Sequence, residues 1–197
     1  MTLCFATNNK HKLEEVRHAI KDFKILSLEE INCFEELPET RDTLEGNSIQ
    51  KAEFVFERFN VPCFADDTGL EVDLLNGAPG VYSARYAGPQ RNSEDNIDLL
   101  LANLRDSAHP TARFRTIITL VGLESHPVLF EGIIPGTITK ERRGSTGFGY
   151  DPVFLPDGYS KTFAEMTLSE KNELSHRAIA VRKLQVYLRT YLLRLGK

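Results

Sequence analysis

The chain has 197 residues, of which 41% are hydrophobic and 26% charged, as in an ordinary soluble globular protein. Its formal net charge of −4 argues against broad binding to duplex nucleic acid, which requires a basic face. The three cysteines are scattered and show no metal-ligand spacing, which predicts a reducing, cytoplasmic setting. Because we find neither a signal-peptide core nor an apolar run near ~18 residues, we expect no association with a membrane.

The first element predicted along the chain is a short apolar strand over residues 3–6, which leads into a helix. The helix is indicated by apolar residues at helical spacing, namely Leu13, Val16, Ile20 and Phe23. Residues 7–12 therefore form a strand-to-helix turn, with Asn8 or Asn9 able to cap the helix. Free amides at a helix start favour anions and Lys12 adds a positive charge, although an ordinary capped turn is the alternative.

A second strand is predicted over residues 24–27, followed by an acid-rich loop that ends near Glu39. A second helix then presents the apolar residues Ile49, Ala52, Phe56 and Phe59. The apolar run 61–65 ends abruptly in Asp66 and Asp67, which is typical of a buried strand reaching the edge of a sheet. Adjacent carboxylates at such an edge suit a hard divalent cation such as Mg²⁺, whereas a solvated acidic turn is the alternative.

The middle of the chain predicts a tight loop over residues 76–80, a third helix and a β-hairpin. The helix carries Ile97, Leu100, Leu101 and Leu104, with Ser93 as its candidate cap. The segments 112–123 and 128–134 are rich in β-branched residues and predict antiparallel strands. Helices alternating with strands in front and a long hairpin behind indicate a mixed sheet. Arg85 has two open roles, binding phosphate or holding the acidic loop.

Two later stretches are rich in residues that contact ligands. Residues 144–152 contain three glycines that let backbone amides approach a ligand, and Phe148 and Tyr150 are able to pack on a flat base. Residues 169–177 lead into a long apolar-faced helix with Ser175 as a candidate cap. That cap places His176 and Arg177 in the first turn, where cations oppose the helix dipole and an acceptor-rich partner is favoured. The alternative for residues 144–152 is a flexible turn, and the alternative for His176 and Arg177 is a surface pair beside Lys171.

Five motifs occur together in one order along nearly the whole chain. They are residues 5–12 (FATNNKHK), 64–70 (FADDTGL), 77–86 (GAPGVYSARY), 147–154 (GFGYDPVF), and Glu170-Lys171 with Ser175-His176-Arg177. In this combination the chain resembles the inosine triphosphate pyrophosphatases, the dITP/XTP pyrophosphatases that cleanse nucleotide pools. One departure is Asn8, which stands where many relatives have glycine.

The resemblance implies an elongated α/β protein with two lobes around a mixed β-sheet flanked by helices, a single catalytic domain over residues 1–197, and a homodimer. It implies Mg²⁺-dependent hydrolysis, with Mn²⁺ as a substitute, of ITP, dITP and XTP to the monophosphate and pyrophosphate. Asp67 would be the general base and a metal ligand, with Asp66 and Glu39 as further ligands. The residues implied to bind the nucleotide are Thr7, Asn8, Asn9, Lys10, His11, Lys12, Thr68, Phe148, Gly149, Tyr150, Asp151, Lys171, His176 and Arg177.

Within this set, Lys12 and Lys171 would neutralise the triphosphate, while His176 and Arg177 would read the base. Both of the latter side chains supply hydrogen-bond donors, which match the 6-oxo group of hypoxanthine and xanthine and oppose the amino group of adenine. Two other functions are kept as alternatives. One is a pyrimidine-preferring nucleotide pyrophosphatase of the Maf type, and the other is a nucleotide-binding protein without turnover.

Overall fold

The computed structural model describes residues 1–196, which form six strands and five helices. The strands are β1 Thr2–Phe5, β2 Lys24–Leu26, β3 Cys63–Val72, β4 Thr111–Val121, β5 Val128–Ile138 and β6 Phe154–Pro156. The helices are α1 Lys10–Ala19, α2 Leu44–Phe59, α3 Ser93–Leu104, α4 Leu168–Leu174 and α5 His176–Arg194. The predicted α/β class is confirmed.

All six strands belong to one sheet in the order β2-β1-β3-β4-β5-β6. Strand β1 pairs in parallel with both β2 and β3, and β5 pairs antiparallel with β6, so the predicted mixed sheet is confirmed. The two strands of the predicted hairpin are neighbours in the sheet, and the second continues to Ile138.

The chain separates into two compact units. Unit 1 comprises residues 1–67, 116–132 and 177 onward, and unit 2 comprises residues 68–115 and 133–176. The chain passes from one unit to the other within β3, β4 and β5, and again between His176 and Arg177.

The core of unit 1 follows the alternation of side chains along its strands. Because successive strand residues point to opposite faces, Phe5 and Phe64 pack in one cluster with residues of α1 and α5. Their rings stack with centroids 4.7 Å apart. Cys63 and Ala65, the neighbours of Phe64 in β3, point to the other face and pack in a second cluster with Ala52 and other residues of α2. The sheet of unit 1 is therefore covered by helices on both faces.

Unit 2 has its own core, built from α3, the strand segments of this unit and the chain around Phe154 and Phe163. Its segment of β3 begins with Thr68 and contains Gly69. A Cβ atom on Gly69 would lie 2.6 Å from the carbonyl oxygen of Gly80, so the backbone approaches too closely for any larger residue. This contact explains why glycine is found inside a strand.

Three sequence-based boundaries were wrong. Strand β3 does not end at Ala65 but continues to Val72, so Asp66 and Asp67 lie inside the strand rather than at its edge. Helix α3 is capped by Asn92, whose side chain accepts from the amides of Glu94 and Asp95, and not by Ser93. Helix α4, which has a capping box at its start, was not predicted separately from α5.

None of the helices in residues 1–196 is both long enough and apolar enough to cross a membrane.

The three cysteines are reduced, lie in unit 1 and are buried. Burial raises the pKa of the Cys4 thiol from 9.0 to about 12 and also raises the pKa of Cys33 and Cys63. At pH 8, the thiolate fraction of Cys4 is then about a thousandfold below that of an ordinary cysteine. We expect the native protein to react with a thiol reagent at least about a hundredfold more slowly than the protein in denaturant. Rapid labelling of the native protein would contradict this packing.

Candidate active site

The turn between β1 and α1 is ordered by its own side chains. The hydroxyl of Thr7 accepts a hydrogen bond from the Asn9 amide at 3.2 Å, and the Asn9 side chain accepts from the Lys12 amide at 3.2 Å. The predicted Asn9 cap is thus confirmed, and α1 begins at Lys10. Left-handed φ values occur at Asn32, Asn60, Asn76 and Arg91 among the non-glycine residues in the described part of the chain. Asn8 therefore stands at a position whose backbone does not require glycine.

Strand β3 sends its two adjacent carboxylates to opposite faces of the sheet. Asp66 follows the alternation of Phe64 and meets side chains of α1 and α5, whereas Asp67 follows Ala65 and meets side chains of α2. Both are buried, with Asp66 only 1% exposed and Asp67 8% exposed. The two carboxylates therefore have different partners despite being neighbours in sequence.

Asp66 lies within a chain of charged residues that are buried, apart from the partly exposed Lys12. Its Oδ1 accepts from the Lys12 ammonium at 3.0 Å and its Oδ2 from Nε of Arg177 at 3.2 Å. Nη1 of Arg177 also donates to the carboxylate of Glu15, one turn beyond Lys12 on α1. Burial by itself would raise the pKa of Asp66, but Lys12 and Arg177 outweigh it and hold that pKa well below its usual range. Asp66 is thus an ionised counter-ion shared by two cations.

Asp67 is held by helix α2. Its Oδ2 accepts from Nδ2 of the Asn47 side chain at 3.1 Å, and its Oδ1 lies 3.4 Å from the ammonium of Lys51. Burial raises the pKa of Asp67 above its ordinary value, although Lys51 and Lys12 act in the opposite direction. A carboxylate with a raised pKa is a stronger base than an exposed one, so Asp67 is suited to accept a proton.

Lys51 also contacts Glu39, at 2.7 Å from Nζ to Oε1, so a single ammonium joins Glu39 to Asp67. The loop that carries Glu39 is fastened to α2 by side chains. The amide of Arg41 donates to Asn47 at 2.9 Å and the amide of Thr40 donates to Gln50 at 3.0 Å. Asn47 therefore positions both the loop and Asp67.

A second cluster of polar residues lies in unit 2. The Lys171 ammonium is 2.7 Å from Oδ2 of Asp151 and 4.9 Å from the centre of the Phe148 ring, with Lys171 only 4% exposed. The same carboxylate oxygen accepts from the Phe148 amide at 2.9 Å. A Cβ atom on Gly147 would lie 2.1 Å from that oxygen, so glycine is needed there. Phe148 is partly exposed and Gly149 follows it in the same turn.

Tyr150 and His176 are core residues of unit 2. The Tyr150 hydroxyl donates to the carbonyl oxygen of Ser83 at 2.9 Å, and burial raises the pKa of this phenol. The His176 ring stacks on Phe114 with centroids 4.6 Å apart and is only 2% exposed.

The structure divides the predicted site residues between the two units, which the sequence did not indicate. Lys12 and Lys171 lie in different units, as do His176 and Arg177. Thr7, Asn9, Lys12, Asp66, Asp67 and Arg177 belong to unit 1 with Glu39, and Thr68, Phe148, Asp151, Lys171 and His176 belong to unit 2. Asn8, in the turn before α1, and Lys10 and His11, in the first turn of α1, are exposed. Arg85 lies with its guanidinium carbon 5.1 Å from the Tyr82 ring.

Three residues that organise this region were not assigned roles from the sequence, namely Glu15, Asn47 and Lys51. Each carried a signal in its spacing. Glu15 lies three residues after Lys12, beside the apolar Val16. Asn47 and Lys51 are four residues apart, next to the buried Ala52 and Val55. A polar or charged residue on the apolar stripe of a helix is expected to be buried with a partner.

The residues around Asp67 fit a divalent cation held together with a substrate. No group of three or more histidine, cysteine, aspartate or glutamate side chains is placed to hold a metal within residues 1–196. Glu39 and Asp67 nevertheless supply hard carboxylate oxygens and already share one cation, the Lys51 ammonium. Mg²⁺ is usually bound by one or two carboxylates plus substrate phosphates, so this pair is sufficient.

Comparison with known proteins identifies the family. The profile described as the Ham1 family matches residues 3–187. The chain belongs to the Ham1 family. Two relatives of this Ham1-family chain are each named a dITP/XTP pyrophosphatase. The protein of Flavobacterium johnsoniae is 52% identical over 185 residues, covering 93% of this chain and 96% of the relative. The protein of Porphyromonas gingivalis is 54% identical over 188 residues, covering 94% and 96%.

Solved structures agree with this placement of the Ham1-family chain. The Staphylococcus aureus Ham1 protein superimposes with a TM-score of 0.87 at 35% identity, covering 96% of this chain and 99% of the other. A HAM1 protein from Coxiella burnetii gives a TM-score of 0.87 at 33% identity, with the same coverage. The family that the five sequence motifs indicated is therefore confirmed.

Proposed function

We propose that this chain is a nucleoside triphosphate pyrophosphatase that hydrolyses non-standard purine nucleotides. Its substrates are ITP, dITP and XTP, and its products are the nucleoside monophosphate and pyrophosphate. The names of the relatives from Flavobacterium johnsoniae and Porphyromonas gingivalis support this substrate class, as does coverage of more than nine-tenths of both chains. We treat residues 1–197 as a single catalytic domain, since the family profile spans residues 3–187.

The observation that carries the proposal is the environment of Asp67. This buried carboxylate has a raised pKa, is oriented by Asn47, and shares a cation with a second carboxylate, Glu39. Such a group is equipped to take a proton from a water molecule that attacks a phosphoanhydride.

The remaining residues of unit 1 would hold the triphosphate. Lys12 in the first turn of α1 supplies a positive charge, and the amides of Asn8 and Lys10 would donate to phosphate oxygens. Asp66 keeps Lys12 in place through their 3.0 Å contact. Because both oxygens of Asp66 contact cations, we assign it the role of positioning Lys12 and Arg177 rather than that of a metal ligand.

The metal would be bound by Glu39 and Asp67, and we propose Mg²⁺, with Mn²⁺ able to replace it. When bound, it would neutralise phosphate charge as the leaving pyrophosphate separates. Asp67 has two oxygens, so one can remain a ligand while the carboxylate accepts the proton. Lys51, between the two carboxylates, is a further cation available to the phosphates.

The base would be bound by residues of unit 2, among them Phe148, Lys171 and His176. The partly exposed Phe148 ring offers a flat apolar surface for a purine, and Lys171 and Asp151 fix the turn that carries it. His176 and the Lys171 ammonium supply hydrogen-bond donors, which suit a base with a 6-oxo group. Lys171 was expected beside the phosphates, but its contact with Asp151 and its position over Phe148 favour a role in base binding.

Pyrophosphate release across ITP, XTP, dITP, GTP, ATP and dUTP with Mg²⁺ tests the proposal. We expect ITP and XTP to exceed ATP in kcat/KM by up to roughly 10⁴, since a site built of donors leaves the adenine amino group unpaired. A preference for dUTP would identify the pyrimidine-specific alternative. Binding of ITP without pyrophosphate release would instead identify a nucleotide-binding protein. Either outcome would overturn the proposed function.

The resemblance to the inosine triphosphate pyrophosphatases supports two further proposals. One is assembly as a homodimer, and the other is action in the cytoplasm on the free nucleotide pool. The buried, reduced cysteines suit that compartment.

A further inference from the structure

The Lys51 ammonium occupies the position between Glu39 and Asp67. Its Nζ lies 2.7 Å from one carboxylate and 3.4 Å from the other, and the lysine is 4% exposed. The two carboxylates come from separate parts of the chain, the loop before α2 and strand β3. Without a cation between them, two carboxylates brought this close would repel each other. Lys51 therefore holds the pair together in the protein without metal.

We propose that Lys51 is an internal counter-ion that must leave the Glu39–Asp67 pair before a divalent cation can bind there. Binding of metal to the nucleotide-free protein is thereby suppressed, and an incoming triphosphate provides the acceptor for the displaced ammonium. This inference rests on the proposed function of the same carboxylates. It adds that metal and nucleotide bind in a coupled manner, with Lys51 as the residue that couples them.

The geometry carries this inference in two steps. First, an ammonium and a divalent cation are like charges, and at a separation of a few ångströms in a buried site their repulsion is severe. They cannot share the two carboxylates at hydrogen-bonding distance. Second, the ammonium cannot simply be left unpaired, because an uncompensated buried charge is strongly unfavourable. It requires another anion, and phosphate oxygens are the anions that the proposed substrate supplies.

Helix α2 provides a second contact that keeps Asp67 in place when the Lys51 ammonium moves away from it. Asn47 lies one turn before Lys51 and holds the other oxygen of Asp67 at 3.1 Å, and it also fastens the Glu39 loop through Arg41. Those contacts do not involve the ammonium. Asp67 and the loop thus keep neutral anchors when Lys51 changes partner.

The direct test is Mn²⁺ binding to the nucleotide-free protein, measured by the electron paramagnetic resonance signal of free Mn²⁺ for wild type and Lys51→Met. Methionine has a similar length and no charge. We expect Lys51→Met to bind Mn²⁺ about tenfold to a hundredfold more tightly than wild type, because the competing cation is gone. Equal or weaker binding by Lys51→Met would overturn the inference.

Two controls separate this effect from a general change of charge. Lys183→Met removes the same charge from an exposed lysine of α5, and its Mn²⁺ affinity is expected to equal that of wild type. Lys12→Met removes a cation that contacts Asp66 rather than Glu39 or Asp67, and it is expected to change Mn²⁺ affinity less than Lys51→Met does. If all three variants tightened binding equally, the contact of Lys51 would have no special role.

Two further measurements cover the case in which Lys51→Met does not fold. Lys51→Gln retains a hydrogen-bond donor without the charge and is expected to tighten Mn²⁺ binding in the same direction. Wild-type crystals soaked in MnCl₂ without nucleotide give a variant-free result. Either Lys51 still bridges the pair with no Mn²⁺ peak, or Mn²⁺ is bound and Lys51 has moved away. A Mn²⁺ peak with the ammonium still in place would refute the inference.

These measurements are independent of turnover. If wild type hydrolyses ITP and Lys51→Met binds Mn²⁺ no more tightly than wild type, the proposed function stands and only the coupling is refuted. If Lys51→Met binds Mn²⁺ more tightly but wild type releases no pyrophosphate, the competition between Lys51 and the metal is supported and the proposed function is refuted.

Discussion

Asp67→Asn is expected to abolish nearly all pyrophosphate release from ITP while the protein remains folded. Asparagine has almost the same size and can still contact Lys51, but it cannot accept a proton and is a poor ligand for Mg²⁺. Loss of a positioned general base costs roughly 10²–10⁴ in rate, and loss of the metal adds to that. The measurement is single-substrate kinetics with ITP at saturating Mg²⁺, with circular dichroism to confirm the fold.

The matched control is Asp73→Asn, which removes one carboxylate from an exposed position just after β3. It is expected to keep wild-type turnover, so a loss confined to Asp67→Asn cannot be ascribed to net charge. Turnover by Asp67→Asn within about tenfold of wild type would rule out Asp67 as the general base.

Arg177→Ala is expected to lower the free energy of unfolding by about 3–5 kcal/mol, since it removes the cation that contacts the buried carboxylates of both Glu15 and Asp66. Arg177 is 2% exposed and contacts both acids. For a chain of this length, such a loss corresponds to a decrease in Tm of roughly 6–20 °C. Denaturant titration followed by circular dichroism measures it.

Arg189→Ala is the matched control because it lies on the same helix and also pairs with an aspartate, Asp22, but at the surface. The side chains of Arg189 and Asp22 are 60% and 51% exposed, so this pair is expected to contribute no more than about 1 kcal/mol. A double variant, Glu15→Gln with Arg177→Met, should recover part of the stability by removing charges of both signs. Equal losses in Arg177→Ala and Arg189→Ala would show that burial of the former pair has no energetic consequence.

Much of the fold could be read from periodicity. The apolar spacing of α1, α2 and α3, and the β-branched runs of β4 and β5, are local signals, and the structure contains all of these elements. The end of β3 was misjudged because polar residues usually mark the end of a buried strand. Here Asp66 and Asp67 remain inside the strand because cations pair with both of them. Those cations come from α1, α2 and α5, and a local pattern cannot show them.

The site was predicted unevenly for the same reason. Asp67 and Lys12 stand out by residue type within distinctive motifs. The partners of Lys51 depend on how α2 faces β3, and the sequence provides only the hint of a lysine on an apolar stripe. Lys171 was predicted to bind the nucleotide from its motif. Its contact with Asp151, twenty positions away along the chain, could not be read from a local pattern.

The division of Asp66 and Asp67 between two faces makes this part of β3 intolerant of any one-residue slip. Its pairing with β1 aligns Cys63 with Cys4 and Phe64 with Phe5. Insertion or deletion of a single residue just before Asp66 would exchange the two carboxylates, placing Asp67 on the face of α1 and Asp66 on the face of α2, and would also invert the side chains of β3 that follow them. A two-residue change would restore the faces but shift both acids along the sheet by about 7 Å. This strand should therefore accept substitutions far more readily than changes of length.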